Sequence, residues 1–312
     1  MAQFPNAPKS NPGKANDSEI LAWSQCDVEN RIGFKGGRYT NVNHALAFLM
    51  GALATGILYI LMLFVFIHIP GITHVATIYM RPSNQFAVIP ATFFFFGGMA
   101  VLYLKGKKIK FQRKALDLDS VPAEPEFTLT ETTAATVLAR IHALVDHPRN
   151  FVVLNRIDRA LSNFKNIGQV GDVSAILRSQ AQNDEDLVAS SYTVVNGLVW
   201  AIPVLCFIGT VLGLSLAIGK FTATLQAAGD LSLIRASLQG VTGGLATAFE
   251  STLVALTFTL FLQLAITFQQ KREMAFLDDC NDYCHSHIVA KLRLSTRQPT
   301  AQADTPAPES KA

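Results

Sequence analysis

Hydrophobic positions divide the chain into two apolar pairs separated by a polar segment with helical periodicity. A bilayer core of roughly 30 Å takes about 20 apolar residues as helix, and four stretches qualify: 45–67, 86–104, 194–219 and 236–268. The first three contain no Asp, Glu, Lys or Arg, and the fourth contains only Glu250. The pattern predicts an all-α polytopic membrane protein with four transmembrane helices. In the first pair, the run Phe93 to Phe96 leaves no polar helical face. That is expected of a segment seen by lipid on several sides.

The segment 105–193 predicts a helical domain. Pro122 and Pro125 break the chain, after which Thr128 and Glu131 have capping-box spacing. They are expected to open a helix through Leu138, Ile141 and Leu144 that stops near Pro148. A second helix, FVVLNRIDRALSNF, ends before Gly168 and Gly171, and a third begins after Asp172. Asp184, Glu185 and Asp186 suit the positive end of a further helix, which would run on from about 184 to 219. Span four likewise continues as helix beyond the bilayer. The expected organisation is a partly ordered lead-in (1–43), an outer hairpin (44–104), the helical domain (105–193), an inner hairpin (194–268), and a helix with a disordered tail (269–312). In the lead-in, Ile20, Leu21 and Trp23 can lie on a membrane or on a neighbouring helix.

Composition agrees: of 312 residues, 50% are apolar and only 16% charged, which is low for a soluble protein. Charge then sets the orientation. Lys105, Lys107, Lys108, Lys110, Arg113 and Lys114 follow the second span, whereas the loop 68–85 has only Arg81, and the link between spans three and four has only Lys220 and Arg235. By the positive-inside rule, both termini and the helical domain face the cytoplasm. The amino terminus lacks the apolar core and cleavage site of a secretory signal, so the first span is expected to be retained.

At a net charge of +3, topology and anionic headgroups account for the basic run, and no nucleic-acid partner is expected. The four cysteines form no disulfide framework; Cys26, Cys280 and Cys284 fall on the cytoplasmic side and Cys206 within a span, all as free thiols. Cys280, Cys284, His285 and His287 resemble a metal cluster only loosely, because zinc sites usually take cysteines from a turn. No metal is expected there. His142, Asp146 and His147 read as a solvated helix end. The absence of a P-loop, GxGxxG or GxSxG motif gives no basis for an enzyme or a cofactor.

The inner hairpin carries the chemistry, because it is too polar for a lipid anchor. A charge at the middle of a span costs on the order of 2.5–3.5 kcal/mol on insertion scales, so it normally faces a bundle interior or a water path. Pro203, Cys206, Thr210, Gly213 and Ala217 share one face of span three at helical spacing. Gly209 and Gly213 form a GxxxG packing pair, and Gly243 and Gly244 are further packing positions. On span four, Ala248, Thr252, Ala255, Thr259 and Gln263 share one face, while Thr247, Glu250 and Ser251 gather on another. Each threonine could instead bond the carbonyl four residues back.

IPVLCFIGTVLGL followed by GGLATAFESTLVAL resembles the paired signature of the MotA/TolQ/ExbB ion-channel family, with the specific likeness confined to 194–268. Four spans are similar to the flagellar-stator branch, whereas the three-span TolQ and ExbB branch would lack one amino-terminal helix. The resemblance implies that Pro203 opens the inner helix and that Thr210 and Thr252 line an ion path, with Thr247 and Thr259 beside it. Thr247 falls where the ExbB branch has a glutamate. Glu250 stands at a position that is normally apolar, so it is either a titrating or an interfacial group.

The resemblance further implies an A-type subunit of an inner-membrane ion-driven motor. Its homopentamer would surround two copies of a MotB/ExbD/TolR-like single-span subunit bearing a membrane aspartate, and H⁺ or Na⁺ flow would become rotation. Arg140, Arg156 and Arg159 could engage a rotor or simply be solvated. The alternative is a non-conducting scaffold or receptor that binds partners through its helical domain.

Overall fold

Small side chains let four long helices approach closely. The computed structural model describes residues 23, 28–34, 36–68, 73–118, 120–122, 127–162, 170–226 and 231–292. Its helices are α1 (Val28–Arg31), α2 (His44–His68), α3 (Thr73–Met80), α4 (Pro82–Leu116), α5 (Glu131–Leu144), α6 (Val152–Ser162), α7 (Val170–Ser191), α8 (Thr193–Gln226) and α9 (Leu231–Cys284). A π-turn, His285–Val289, ends the last helix. Four segments are long and apolar enough to span a bilayer: His44–His68, Gln85–Leu116, Asp172–Gly219 and Leu238–Val289. The protein is all-helical among the described residues, apart from an isolated bridge between Leu129 and Leu292.

α4 is the hub of the bundle, packing against α2, α8 and α9. This corrects the expectation that the segment containing Phe93 to Phe96 faces lipid on several sides. The apolar stretch of α4 is 56% buried, compared with 11% for α2. The reason is the small residues that flank its phenylalanines. A methyl group on Gly51 of α2 would come within 2.7 Å of the Gly97 backbone, and one on Gly98 within 2.9 Å of Leu262 on α9. Phe95 then stacks on Phe258 with ring centroids 4.4 Å apart.

At the basic end of the bundle, the same hydrophobic core continues among α5, α6, α7 and the last turns of α9, around Phe151, Ile157, Phe276 and Ile288. Trp23 packs into it, 5.7 Å from the Phe111 ring and 5.3 Å from Phe151. The lead-in therefore lies on neighbouring helices at this point; Ile20, Leu21 and Cys26 are outside the described residues. Tyr39 adopts a left-handed φ of 57°, unusual for a residue with a Cβ. Its hydroxyl accepts from Arg38 Nη2 at 2.9 Å and from Asn155 Nδ2 at 2.8 Å. Burial, with the Asp184 charge adding to it, pushes this phenol up to about 12, so it remains a neutral clamp.

Two local expectations change. The first helix of the domain is capped by Thr130, whose side chain accepts from Thr133 N–H in a reciprocal box; Thr128 instead offers its carbonyl to Thr133 Oγ1. The acidic cluster does not open a helix, because Asp184 lies inside α7 and accepts from Arg156 Nε at 2.8 Å. Tertiary pairing has replaced interaction with a helix dipole. The break comes later, at Tyr192, between α7 and α8.

That break sits on a buried charge cluster. Glu273 of α9 is fully buried and pairs with Lys105 of α4 at 3.2 Å. It also accepts from Tyr192 Oη at 2.7 Å and from Thr40 Oγ1, while Lys105 Nζ donates to Ser191 Oγ at 2.7 Å. Nearby, Lys108 pairs with Glu29 at 2.7 Å, and Glu29 also accepts from the Asn43 N–H at 2.8 Å. Removing one partner of a buried pair typically costs about 3–5 kcal/mol, whereas replacing both with apolar groups costs far less. Lys105→Met and Glu273→Leu are each expected to lower the unfolding temperature sharply in detergent. The double variant should recover most of that loss, which a thermal-unfolding series would measure.

Candidate functional site

The inner hairpin is built from α8 and α9, which run antiparallel and form the most extensive helix pair in the molecule. Cys206 Sγ lies 3.8 Å from Ser251 Oγ. A methyl group on Gly244 would fall 3.2 Å from the Gly213 carbonyl oxygen and 2.6 Å from Ala217 Cβ. Both contacts belong to one antiparallel register. Continuing it sets Thr210 level with Thr247, with Thr252 about 7 Å nearer the basic end at ~1.5 Å per residue.

The small-residue faces divide accordingly. Ile202, Cys206 and Ala217 are buried on α8, and Ala248, Ser251, Ala255 and Leu262 are buried on α9. Pro203, Thr210, Thr252 and Thr259 lie at the edges of these seams and are half-buried, whereas Gln263 is exposed. Thr247 lies on α9, but its side chain is outside the described residues. Gly209 faces the hub helix, since a methyl group there would approach Ala87 Cβ to 2.6 Å. Gly244 faces α8, and Gly243 has open space around it. The Gly209/Gly213 pair therefore serves two neighbours, one glycine against α4 and the other against α9.

The threonine hydroxyls share one feature. Thr210 donates to the Phe207 carbonyl at 2.7 Å, Thr252 to Ala248 at 2.7 Å and Thr259 to Ala255 at 2.8 Å. A hydroxyl has one donor and two acceptor lone pairs, so its outward side offers oxygen lone pairs alone. Such a surface suits the hydrogens of water or hydronium, or a partly dehydrated cation.

Glu250 accepts from Arg81 Nη1 at 2.8 Å. Arg81 lies immediately before α4, so the two parallel helices α4 and α9 are joined by charge pairs at both ends. Residues 82–104 on one and 251–272 on the other lie between the pairs, roughly 33–35 Å of helix at ~1.5 Å per residue. A hydrocarbon core is about 30 Å thick. This geometry sets Glu250 at one boundary of the apolar zone, with an arginine beside it, rather than at mid-depth. The sequence does not reveal this partner, because Arg81 lies 169 residues away from Glu250 and reads there only as a loop charge. Lys105 and Glu273 are hidden for a similar reason: topology and anionic headgroups already account for the basic run, and nothing local in the sequence brings Glu273 to it.

The remaining candidates separate. Cys280 and Cys284 are buried in the helical-domain core, whereas His285 is exposed and the His287 ring stacks on Tyr283. No group of three or more His, Cys, Asp or Glu side chains suited to a metal occurs among the described residues. His142 lies 4.0 Å from Asp158, and Asp146 accepts the Trp23 N–H at 2.9 Å. Arg156 is fully buried against Asp184, whereas Arg140 and Arg159 are exposed.

Compared with known proteins, residues 148–279 match the family model of the MotA/TolQ/ExbB proton channel family. The match begins before α6 and runs through the membrane part of α9. No curated protein and no solved structure matches the chain.

The Arg81–Glu250 contact is open to direct test. Arg81→Met and Glu250→Gln should each reduce thermal stability in detergent, and the double variant should be little worse than either single one. The expected coupling is roughly 1 kcal/mol for a partly exposed pair, measured by a double-mutant cycle.

Proposed function

We propose that this multi-pass membrane protein, with its MotA/TolQ/ExbB proton channel family domain at residues 148–279, is the A-type subunit of an ion-driven energy-transducing complex. The inner hairpin would conduct H⁺ or Na⁺ along its interface with a single-span partner helix. The observation that carries the reading is the set of threonines on α8 and α9 whose hydroxyl protons are held within their own helices. Thr210, level with Thr247, would start the path, and Thr252 and Thr259 would continue it toward the basic end. Pro203, which lacks an N–H and weakens the local helix ladder, would let α8 adapt to different orientations of the partner.

The chain has no aspartate in α8 or in α9 before Asp278, and the carboxylate of Glu250 is engaged by Arg81. A proton carrier within the membrane would therefore come from the partner. Exposed apolar residues on the inner helices, among them Phe207 and Val211 on α8 and Phe249 and Leu253 on α9, offer surface for partner helices and for further copies of this chain. We take the assembly to be a pentamer around two partner helices, in the bacterial inner membrane, with the basic end in the cytoplasm. Gradient-driven ion flow would turn the pentamer about its partner, and the partner's outer domain would determine which machine receives the work.

The test is ion flux into vesicles containing this chain and its partner. Thr210→Val, Thr247→Val and Thr252→Val remove oxygen while preserving shape. Each is expected to lower flux roughly tenfold or more, equivalent to ~1.4 kcal/mol in the barrier, with the oligomer intact by size-exclusion chromatography. Undiminished flux in all three would exclude these residues from the path and favour the non-conducting scaffold.

A further inference from the structure

We propose that the groove between α4 and α9 at the basic end of the bundle is a binding site for one anionic phospholipid of the adjoining leaflet. The groove has a volume of about 810 Å³. Its wall toward the apolar zone includes Leu102, Tyr103 and Phe268, and its other rim carries Lys107, Lys110 and Arg272. Arg113 also lines it, but Asp279 partly offsets that charge at 3.3 Å. The base is Gly106 and Gln269, one residue beyond Lys105 and one turn before Glu273. The charge pair thus fixes the groove at the level where hydrocarbon gives way to headgroups.

The polar contact is waiting for an acceptor. Gln269 is only 7% exposed, and its Nε2 has no hydrogen-bond partner within the protein. A buried donor left unmade is costly, and an acceptor oxygen from a ligand removes that cost. The missing side chain of Gly106 keeps the amide open: a methyl group there would lie 3.6 Å from Gln269 Oε1 and 3.7 Å from Nε2. An amide N–H beneath a rim of three cations matches phosphate oxygens. The apolar wall matches the first methylenes of an acyl chain, and a soluble anion would leave it wet. The acidic group Glu273, one turn further along α9, does not compete, because its oxygens are already engaged by Lys105, Tyr192 and Thr40. Lys107 lies over the Tyr103 ring at 5.6 Å, which places one cation at the edge of the apolar wall. The inference rests on the membrane reading of the four helices and not on ion conduction.

The test is native mass spectrometry of the full chain in detergent, with phosphatidylglycerol, phosphatidylcholine of the same acyl chains, or inorganic phosphate. The wild type is expected to retain phosphatidylglycerol over phosphatidylcholine by roughly tenfold or more, given the attraction of several basic residues for an anionic headgroup. Lys107→Gln/Lys110→Gln/Arg272→Gln should abolish the preference. Gln269→Leu, which leaves net charge unchanged, should weaken phosphatidylglycerol retention several-fold, with folding checked by thermal unfolding. Equal retention of the two lipids would overturn the site. So would full retention by Gln269→Leu, which would reduce it to diffuse surface attraction. Displacement of the lipid by inorganic phosphate would assign the groove to a soluble anion and overturn the lipid reading.

Discussion

The carboxylate of Glu273 is the constraint around which the rest is arranged. A carboxylate removed from water is tolerated only when a counter-charge and several donors replace its hydration. Here Lys105, Tyr192 and Thr40 supply them from three different segments. The hub helix, the break between α7 and α8, the chain leading into α2, and α9 are thereby tied to one pair of oxygen atoms. None of these elements can slide by a turn without leaving a buried charge unpaired. Lys108 with Glu29, and Arg156 with Asp184, repeat the device within the same end of the molecule.

Fixed at that end, the apolar parts of α4, α8 and α9 are left to pack through small residues. Gly98 against Leu262 and Gly209 against Ala87 set the separations, while Cys206 against Ser251 sets the inner register. The Arg81–Glu250 pair closes the far end of the same helix pair. Thr210 and Thr247 lie about one turn beyond the Arg81–Glu250 pair, and Thr252 and Thr259 lie between the two polar anchorages, in a stretch where the helices are held mainly by shape. That is a suitable place for a surface that must accommodate more than one position of a partner, since packing contacts between small side chains are weak individually and easily exchanged.

Much of this was legible in the sequence. Apolar run lengths gave the four spans, and proline positions bracketed the first helix of the helical domain. The motif around Pro203 and Thr210 pointed to the family whose model matches residues 148–279. What remained hidden was pairing over long sequence separations. Glu250 read as an isolated charge because Arg81 is far away in the chain, and the acidic residues at 184–186 read as a helix start because Arg156 was not known to face Asp184. Lys105 looked like the first of a basic run, yet it is fully buried. The role of α4 was misjudged because four successive phenylalanines obscured the small residues around them. The threonine register depended on which residues of two antiparallel helices lie opposite one another, and helical periodicity within a single helix does not contain that.

The most direct measurement is ion flux into vesicles containing the chain alone and together with its single-span partner, followed with a proton- or sodium-sensitive dye under an imposed gradient. The account predicts no flux from the chain alone, flux when the partner is present, and loss of that flux when the partner's membrane aspartate is replaced by asparagine. Flux from the chain alone, or flux indifferent to that aspartate, would contradict it.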